Sequence, residues 1–234
     1  RALQGATNKA RKGQKMEKIS DMVINAGFDL SFCDVKGNPA LFYAVATGNS
    51  TFVKQVLGAG ADINIQNRLG WTALRLAAEN KDIKMAKLLI DNGADVNTQC
   101  HECEETALFA AVNNGDIEMA RLLIKSGADI TITNMWGQSS LAYAVNRGHK
   151  NLSKLLISKG VDTNKQDIFG EIPLHIAVFD NDKDIVRLLI RAGSVSNIVN
   201  NNGDTPLNMA IEKGYDEIIK IFVRAKQDLN TIEY

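Results

Sequence analysis

The sequence predicts an all-α solenoid made of stacked helix-turn-helix units. Three observations predict it: the chain aligns with itself at a period of about 33 residues, apolar residues recur at helical spacing within each unit, and a glycine ends the second helix of five units. A unit of this size cannot bury its own apolar face, so adjacent units must stack to form one continuous core.

Each unit opens with a short turn. The turn begins with Asp or Asn, continues with two variable residues and ends with Gly; it recurs at Asp34–Gly37, Asn67–Gly70, Asn134–Gly137, Asp167–Gly170 and Asn200–Gly203. Asp and Asn side chains hydrogen-bond to the backbone of tight turns, and Gly adopts the positive φ that such turns require. The two variable residues, and the residue after the Gly, have no such role, so we expect them to carry function.

The first helix follows the turn and carries apolar residues at helical spacing, as in Leu74, Ala77 and Ala78. Hydroxyl side chains mark its start, because they can accept a hydrogen bond from an N-terminal backbone N–H. These hydroxyls belong to Thr72, Thr106, Ser139 and Thr205. Pro173 and Pro206 also stand at helix starts, where the missing backbone donor is tolerated.

The second helix has a strongly apolar face, as in residues 83–90, and it ends at a glycine. Glycine readily adopts the left-handed conformation that terminates a helix. The terminating glycines are Gly60, Gly93, Gly127, Gly160 and Gly193.

The segments Gly70–Leu74 (Gly-Trp-Thr-Ala-Leu) and Gly203–Leu207 (Gly-Asp-Thr-Pro-Leu), with the repeated Leu-Leu-Ile and Gly-Ala-Asp, resemble the ankyrin repeat family. We expect one domain over residues 1–234, with repeats at about 34–66, 67–99, 100–133, 134–166, 167–199 and 200–234 after a degenerate repeat at 1–33. The family's Thr-Pro-Leu-His helix start is never complete, since His175 follows Ile172 rather than a Thr. We therefore expect the family's Thr–His hydrogen bond to be absent.

The resemblance implies β-hairpin fingers and a concave face of first helices as the binding surface. The predicted partner-binding residues on the fingers are Leu69, Trp71, Met135, Trp136, Ile168 and Phe169, with Val35 as a further apolar finger residue. Those on the adjoining helix ends are Asn113, Asn114, Asn146, Arg147 and Phe179. Large apolar side chains are costly to expose and are enriched at interface centres. The alternative is that each aromatic residue only covers its neighbouring finger, and that the polar strip is ordinary solvated surface.

One finger differs from the others, because Cys100-His-Glu-Cys103 carries one extra residue. Three interpretations stay open: an ordinary surface insertion, a Cys100–Cys103 disulfide, and a metal site using Cys100, His101 and Cys103. The metal site lacks a second ligand pair, because Cys33 lies two repeats away. We therefore predict no metal and no cofactor.

The chain has 27 basic and 27 acidic residues, so no net charge attracts nucleic acid, and we expect no nucleic-acid partner. No apolar stretch reaches the roughly 20 residues that span a bilayer, so we expect no membrane insertion. The start at Arg1 fits a shortened chain or a cleaved export signal, and both a cytoplasmic and an exported location stay open. We find no phosphate-binding loop, nucleophile elbow or His-Glu-x-x-His motif, and predict that the chain is not an enzyme.

The leading hypothesis is a monomeric protein-protein interaction scaffold that holds a partner protein or peptide through fingers and concave helix ends. A second hypothesis makes the stack the recognition or regulatory segment of a larger enzyme or membrane protein. A third makes it a small-molecule or nucleotide receptor, in which Trp71 or Trp136 stacks on a ring and Arg68 or Arg147 meets a phosphate.

We expect both ends of the stack to be closed, because an open apolar face reduces solubility. At the N-terminus, polar residues within Thr7–Lys15 should form a cap. At the C-terminus, the last helix keeps its apolar pattern, so we expect the tail Gln227–Tyr234 to fold back over it as a lid.

Overall fold

The computed structural model describes residues 33–34 and 37–230, with side chains as far as Lys226. Within these residues the chain forms twelve helices, α1 to α12, and no extended strand. In chain order they are Ala40–Ala46, Ser50–Gly58, Ala73–Glu79, Ile83–Asp91, Ala107–Asn113, Ile117–Lys125, Ser140–Asn146, Lys150–Ser158, Pro173–Phe179, Lys183–Arg191, Pro206–Glu212 and Asp216–Asn230. The predicted all-α repeat fold is confirmed.

The chain divides into two compact units. The first runs as far as Ala110 and adds Arg121–Ala128, and the second comprises Ala111–Ala120 and the chain from Asp129 onward. The boundary therefore passes through helices α5 and α6. The single domain expected from the sequence stays a prediction.

Both units repeat the same helix packing. In the first unit, α1 packs on α2 and on α3, and α3 packs on α4. In the second unit, α7, α9 and α11 pack in one row, α8, α10 and α12 pack in another, and the two rows contact each other within each hairpin. Within each unit, helices thus pack against their hairpin partners, and several also pack against the equivalent helix of the next repeat.

Polar side chains start the helices as the sequence predicts. The hydroxyls of Thr72, Ser139 and Thr205 accept hydrogen bonds from the backbone N–H three residues later. Pro173 and Pro206 are the first residues of α9 and α11. These contacts satisfy or remove backbone donors that a helix start leaves without partners.

The turns are braced by a buried Asp or Asn side chain. Asn67 Oδ1 accepts hydrogen bonds from the backbone N–H groups of Leu69 and Trp71, both at 3.0 Å, and the Asn67 N–H donates to the Trp71 carbonyl. The same pattern recurs at Asn134, Asp167 and Asn200. In the described residues, β pairing is limited to two isolated bridges, Cys33 with Pro39 and Thr133 with Ser139. The fingers are therefore tight turns rather than hairpins of regular strands.

The fourth position of the helix start joins two of the repeats to the repeat that follows. His175 is fully buried; its Nδ1 accepts from the Ile172 N–H at 3.1 Å, and its Nε2 lies 3.1 Å from the Asp204 carbonyl oxygen of the following repeat. Arg75 occupies the same position three repeats earlier and donates to the Thr106 carbonyl at 3.1 Å. Both side chains therefore bridge adjacent repeats. His175 does so after Ile172, without the hydroxyl partner that the family pattern would supply, whereas Arg75 keeps Thr72 at that place.

The predicted N-terminal cap, Thr7–Lys15, lies outside the described residues, as does Val35. At the other end, α12 continues to Asn230, so residues 227–230 extend the helix instead of folding back over it. The expectation that the tail Gln227–Tyr234 folds back over the last helix is therefore wrong for residues 227–230, whose backbone continues that helix. Residues 231–234 lie outside the described part. None of the helices in the described residues is both long and apolar enough to cross a membrane.

Candidate functional site

The fingertip patch of the second unit consists of Met135, Trp136, Ile168 and Phe169. Their side chains are exposed by 49%, 40%, 55% and 54%, although all four are large and apolar. The Ile168 N–H donates to the Trp136 carbonyl at 3.0 Å, so the two turns lie side by side. Four apolar side chains are therefore brought together on adjacent turns and face solvent.

The turns that carry the patch are fixed by backbone contacts. Trp136 N–H donates to Asn134 Oδ1, and Phe169 N–H donates to Asp167 Oδ1. The next turn adds Asn201, whose N–H donates to the Phe169 carbonyl and whose side-chain amide donates to the Ile168 carbonyl, both at 2.9 Å. A patch held on ordered backbone loses less conformational entropy on binding than a flexible loop would.

Near the patch in sequence, the helix ends of the second unit form a polar strip that the structure ties together through Tyr143. The Tyr143 hydroxyl donates to Asn113 Oδ1 at 3.4 Å and accepts from the Arg147 guanidinium at 3.2 Å. The same guanidinium lies 5.3 Å from the centroid of the Tyr143 ring. Asn146 and Arg147 are exposed, whereas Asn113 and Asn114 are half-buried. The sequence analysis missed Tyr143, although its spacing of four residues from Arg147 places both on one helix face.

Phe179 is the most exposed of the predicted apolar residues that the structure describes, at 61%. The ammonium group of Lys213, at the equivalent end of α11, lies 4.7 Å from its ring centroid, which is a cation–π contact. Burial raises the pKa of the adjacent Asp180 carboxyl, and the nearby carboxylate of Asp182 raises it further. This end of the strip therefore combines an aromatic ring with charges of both signs.

In the first unit, Leu69 and Trp71 have different environments. Leu69 is 46% exposed, whereas Trp71 is half-buried with its ring centroid 4.8 Å from the Arg75 guanidinium. Arg75 is buried and forms an ion pair with Glu105 at 3.0 Å. Trp71 thus covers a buried ion pair. This environment favours a role for Trp71 in packing between repeats over a role in partner binding.

The difference follows from position within the turn. Leu69, Trp136 and Phe169 precede the turn glycine and are exposed. The residues that follow the glycine, or the equivalent residue, are all half-buried: Asn38, Trp71, Glu105, Gln138, Glu171 and Asp204. The sequence analysis treated both positions alike, but the residue after the glycine lies where the chain turns in to start the first helix.

The Cys100–Cys103 turn is closed by a disulfide. The Cys100 N–H donates to the carbonyl of Glu105, five residues later, whereas the Asn67 N–H donates to the carbonyl of Trp71, four residues later. The Cys100 turn is therefore longer by the one extra residue. The disulfide occupies both sulfur atoms that the metal hypothesis needed as thiolates. His101 is exposed, and within the described part of the chain no group of three His, Cys, Asp or Glu residues is placed to hold a metal ion.

Comparison with known proteins agrees with this architecture. The family model for ankyrin repeats in three copies matches residues 9–100, 41–134, 97–167 and 141–233. The chain belongs to the ankyrin repeat family. The ankyrin repeat domain of Bcl-3, described as a unique member of the IκB protein family, is similar with a TM-score of 0.79 and 29% identity, over 88% of this chain and 91% of that one.

An ankyrin repeat domain from Acinetobacter baumannii AYE is also similar, with a TM-score of 0.74 and 31% identity over 80% of this chain and 97% of that one. No curated protein sequence matches the chain significantly. Ankyrin repeats generally mediate protein-protein interactions, and the fold generally serves as a non-enzymatic interaction module. The exposed apolar turns described above are consistent with that general role.

Proposed function

We propose that this ankyrin repeat protein is a non-enzymatic scaffold that binds a partner protein or peptide, with the fingertip patch as the centre of the contact. The observation that carries the proposal is the exposure of Met135, Trp136, Ile168 and Phe169 on two turns joined by a backbone hydrogen bond. Aromatic and Met side chains are enriched at interface centres, and burying them against a partner is favourable.

The helix ends supply a polar margin to this contact. Asn146 and Arg147 are exposed and can hydrogen-bond to backbone or side-chain groups of a partner, and Phe179 adds a further exposed ring. An apolar centre with a polar margin is the usual composition of a protein-protein interface. Equal numbers of basic and acidic residues make nucleic acid a poor partner, and we propose that the chain acts as a monomer.

A capture experiment with the full chain as bait tests the proposal. The double variant Trp136→Ala/Phe169→Ala should lose captured partners, with affinity reduced by about 30-fold or more for each ring removed, because central aromatic residues typically contribute about 2 kcal/mol or more each. Its melting temperature should stay close to that of the parent chain, because both side chains lie on the surface turns and are exposed by 40% and 54%.

The matched control is Val195→Ala/Val223→Ala, which truncates two apolar side chains exposed by 41% and 51% away from the fingertips. This variant should capture the same partners as the parent chain. Unchanged capture by the fingertip variant, or loss of capture by the control variant, would place the binding surface elsewhere and refute the proposal.

A further inference from the structure

The turn at residues 100–105 lacks the side-chain brace that supports the other turns. At Asn67, Asn134, Asp167 and Asn200 a side-chain oxygen accepts two backbone N–H groups of the turn. Cys100 stands at the equivalent place, and its Sγ accepts one backbone N–H, from Glu105 at 3.2 Å. Sulfur is a weak acceptor compared with a carboxamide or carboxylate oxygen.

The disulfide takes over the role of the missing oxygen. It joins Cys100 to Cys103, three residues along the same turn, and so ties together the two sides of a loop that contains an extra residue. This loop also holds Glu104 at φ 54°, a left-handed conformation that a residue with a Cβ adopts at a cost. The covalent bond therefore keeps in place a turn that hydrogen bonds alone hold weakly.

We propose that Cys100 and Cys103 form a reversible thiol–disulfide site, and that its reduction by a dithiol releases the turn at residues 100–105. The inference is independent of the proposed partner binding. Since the disulfide closes a very short loop, the entropy that it removes from the unfolded chain is small. Reduction should therefore loosen the turn without unfolding the protein.

Burial determines which sulfur an external thiolate attacks. Cys100 is 2% exposed, whereas Cys103 is partly exposed. The thiolate of a dithiol forms a bond to the Cys103 sulfur, the bond between the two cysteines breaks, and the Cys100 sulfur leaves with the electron pair and takes up a proton. The Glu105 N–H that already donates to Cys100 Sγ stabilises the negative charge on that leaving sulfur.

The second thiolate of the reagent then attacks the reagent's own sulfur in the mixed disulfide. Cys103 leaves as a thiolate and is protonated, and the reagent departs as a cyclic disulfide. The protein disulfide has been reduced to two thiols, and the dithiol has been oxidised.

The released turn contacts its neighbour in the first unit. The His101 N–H donates to the Leu69 carbonyl at 3.2 Å, and the His101 backbone and ring lie against Gly70. The side-chain amide of Gln99, just before the turn, donates to the Glu104 carbonyl within it at 2.6 Å. Loosening of residues 100–105 is therefore expected to reach the exposed turn that carries Leu69.

Thiol counting and hydrogen exchange on the full chain test the inference, with Cys33→Ser in the background because Cys33 keeps its thiol. Without reductant, no cysteine should react with iodoacetamide; after dithiothreitol, two should react. The backbone N–H groups of His101 and Glu105 should then exchange at least about tenfold faster, while Gln138 in the equivalent braced turn should be unchanged. Removal of the reductant under air should restore the slow rates.

Two variants distinguish loss of the disulfide that holds the turn from a general loss of structure caused by substitution. Cys103→Ser should exchange as fast as the reduced chain in the presence or absence of dithiothreitol. Cys100→Asn/Cys103→Ser restores the side-chain oxygen of the other turns and should exchange slowly under both conditions. Reactive cysteines before reduction, equal exchange in the oxidised and reduced chains, failure of the disulfide to re-form, or fast exchange in the Asn variant would each overturn the inference.

Discussion

The guanidinium of Arg75 lies 4.8 Å from the ring centroid of Trp71, and this pair closes a buried ionic contact between two repeats. Arg75 also binds the Glu105 carboxylate and the Thr106 carbonyl, and both of these residues belong to the following repeat. The ring shields the ion pair from water on one side. An ion pair in such a setting is strongly destabilising to break, because one charge is left buried without its partner.

Truncation of Trp71 should therefore reduce stability. We expect Trp71→Ala to lower the free energy of unfolding by about 2–4 kcal/mol, since it removes a half-buried aromatic ring and opens the Arg75–Glu105 pair to solvent. Urea denaturation followed by circular dichroism measures the change.

Trp136→Ala is the matched control, because this Trp is 40% exposed on a fingertip. Its free energy of unfolding should stay within about 0.5 kcal/mol of the parent value, as is usual for surface substitutions. Equal losses in the two variants would contradict the assignment of different roles to the two Trp residues.

Gly70 should be intolerant of any side chain. Its φ is 75°, and an added Cβ would overlap the backbone nitrogen of His101, with the ring Cγ of His101 at 2.7 Å. Because backbone cannot move aside as a flexible side chain can, we expect Gly70→Ala to lower the free energy of unfolding by about 2–5 kcal/mol. Chemical denaturation is again the measurement.

Gly203→Ala separates the clash from backbone strain. Gly203 has a similar φ of 87°, but an added Cβ there meets no atom within 4 Å. The cost should be limited to the left-handed conformation, about 1–2 kcal/mol. If both substitutions cost the same, the close approach of the Cys100–Cys103 turn to Gly70 has no energetic effect.

The stability of the chain should depend on His175 in mildly acidic solution. Burial lowers the pKa of His175 below its ordinary value of 6.5, although the hydrogen bond to the Asp204 carbonyl raises it in part. The unfolded chain then binds a proton that the folded chain does not. Stability is complete above pH 6.5 and falls as the pH drops below 6.5 toward the lowered folded pKa, by about 1.4 kcal/mol per pH unit at most.

His175→Gln isolates this contribution. The difference in unfolding free energy between the parent chain and the variant should be largest near neutral pH and should shrink as the pH falls below 6.5. Denaturation curves at a series of pH values provide the comparison. A difference that stays constant, or grows on acidification, would show that His175 is not held neutral by the fold.

The sequence determined the repeat, and with it the order of turns and helices. A period of about 33 residues with helical apolar spacing allows few other arrangements, and local chemistry sets the boundaries. The hydroxyls of Thr72 and Ser139 and the ring of Pro173 act within one turn of helix, so their roles could be predicted from neighbours along the chain. The exposed fingertip position was predictable for the same reason.

Tertiary structure decided what depends on residues about 30 positions apart. Trp71 covers an ion pair because Glu105 lies one repeat away, and Asn113 and Arg147 are joined because Tyr143 reaches both. The spacing of residues in the sequence does not show which side chains of neighbouring repeats are in contact. Several pairings fit the repeat period, and packing in the folded chain selects one of them. The sulfur atoms of Cys100 and Cys103 illustrate the limit, since the sequence left three states open and the geometry of the folded turn brought the sulfurs together.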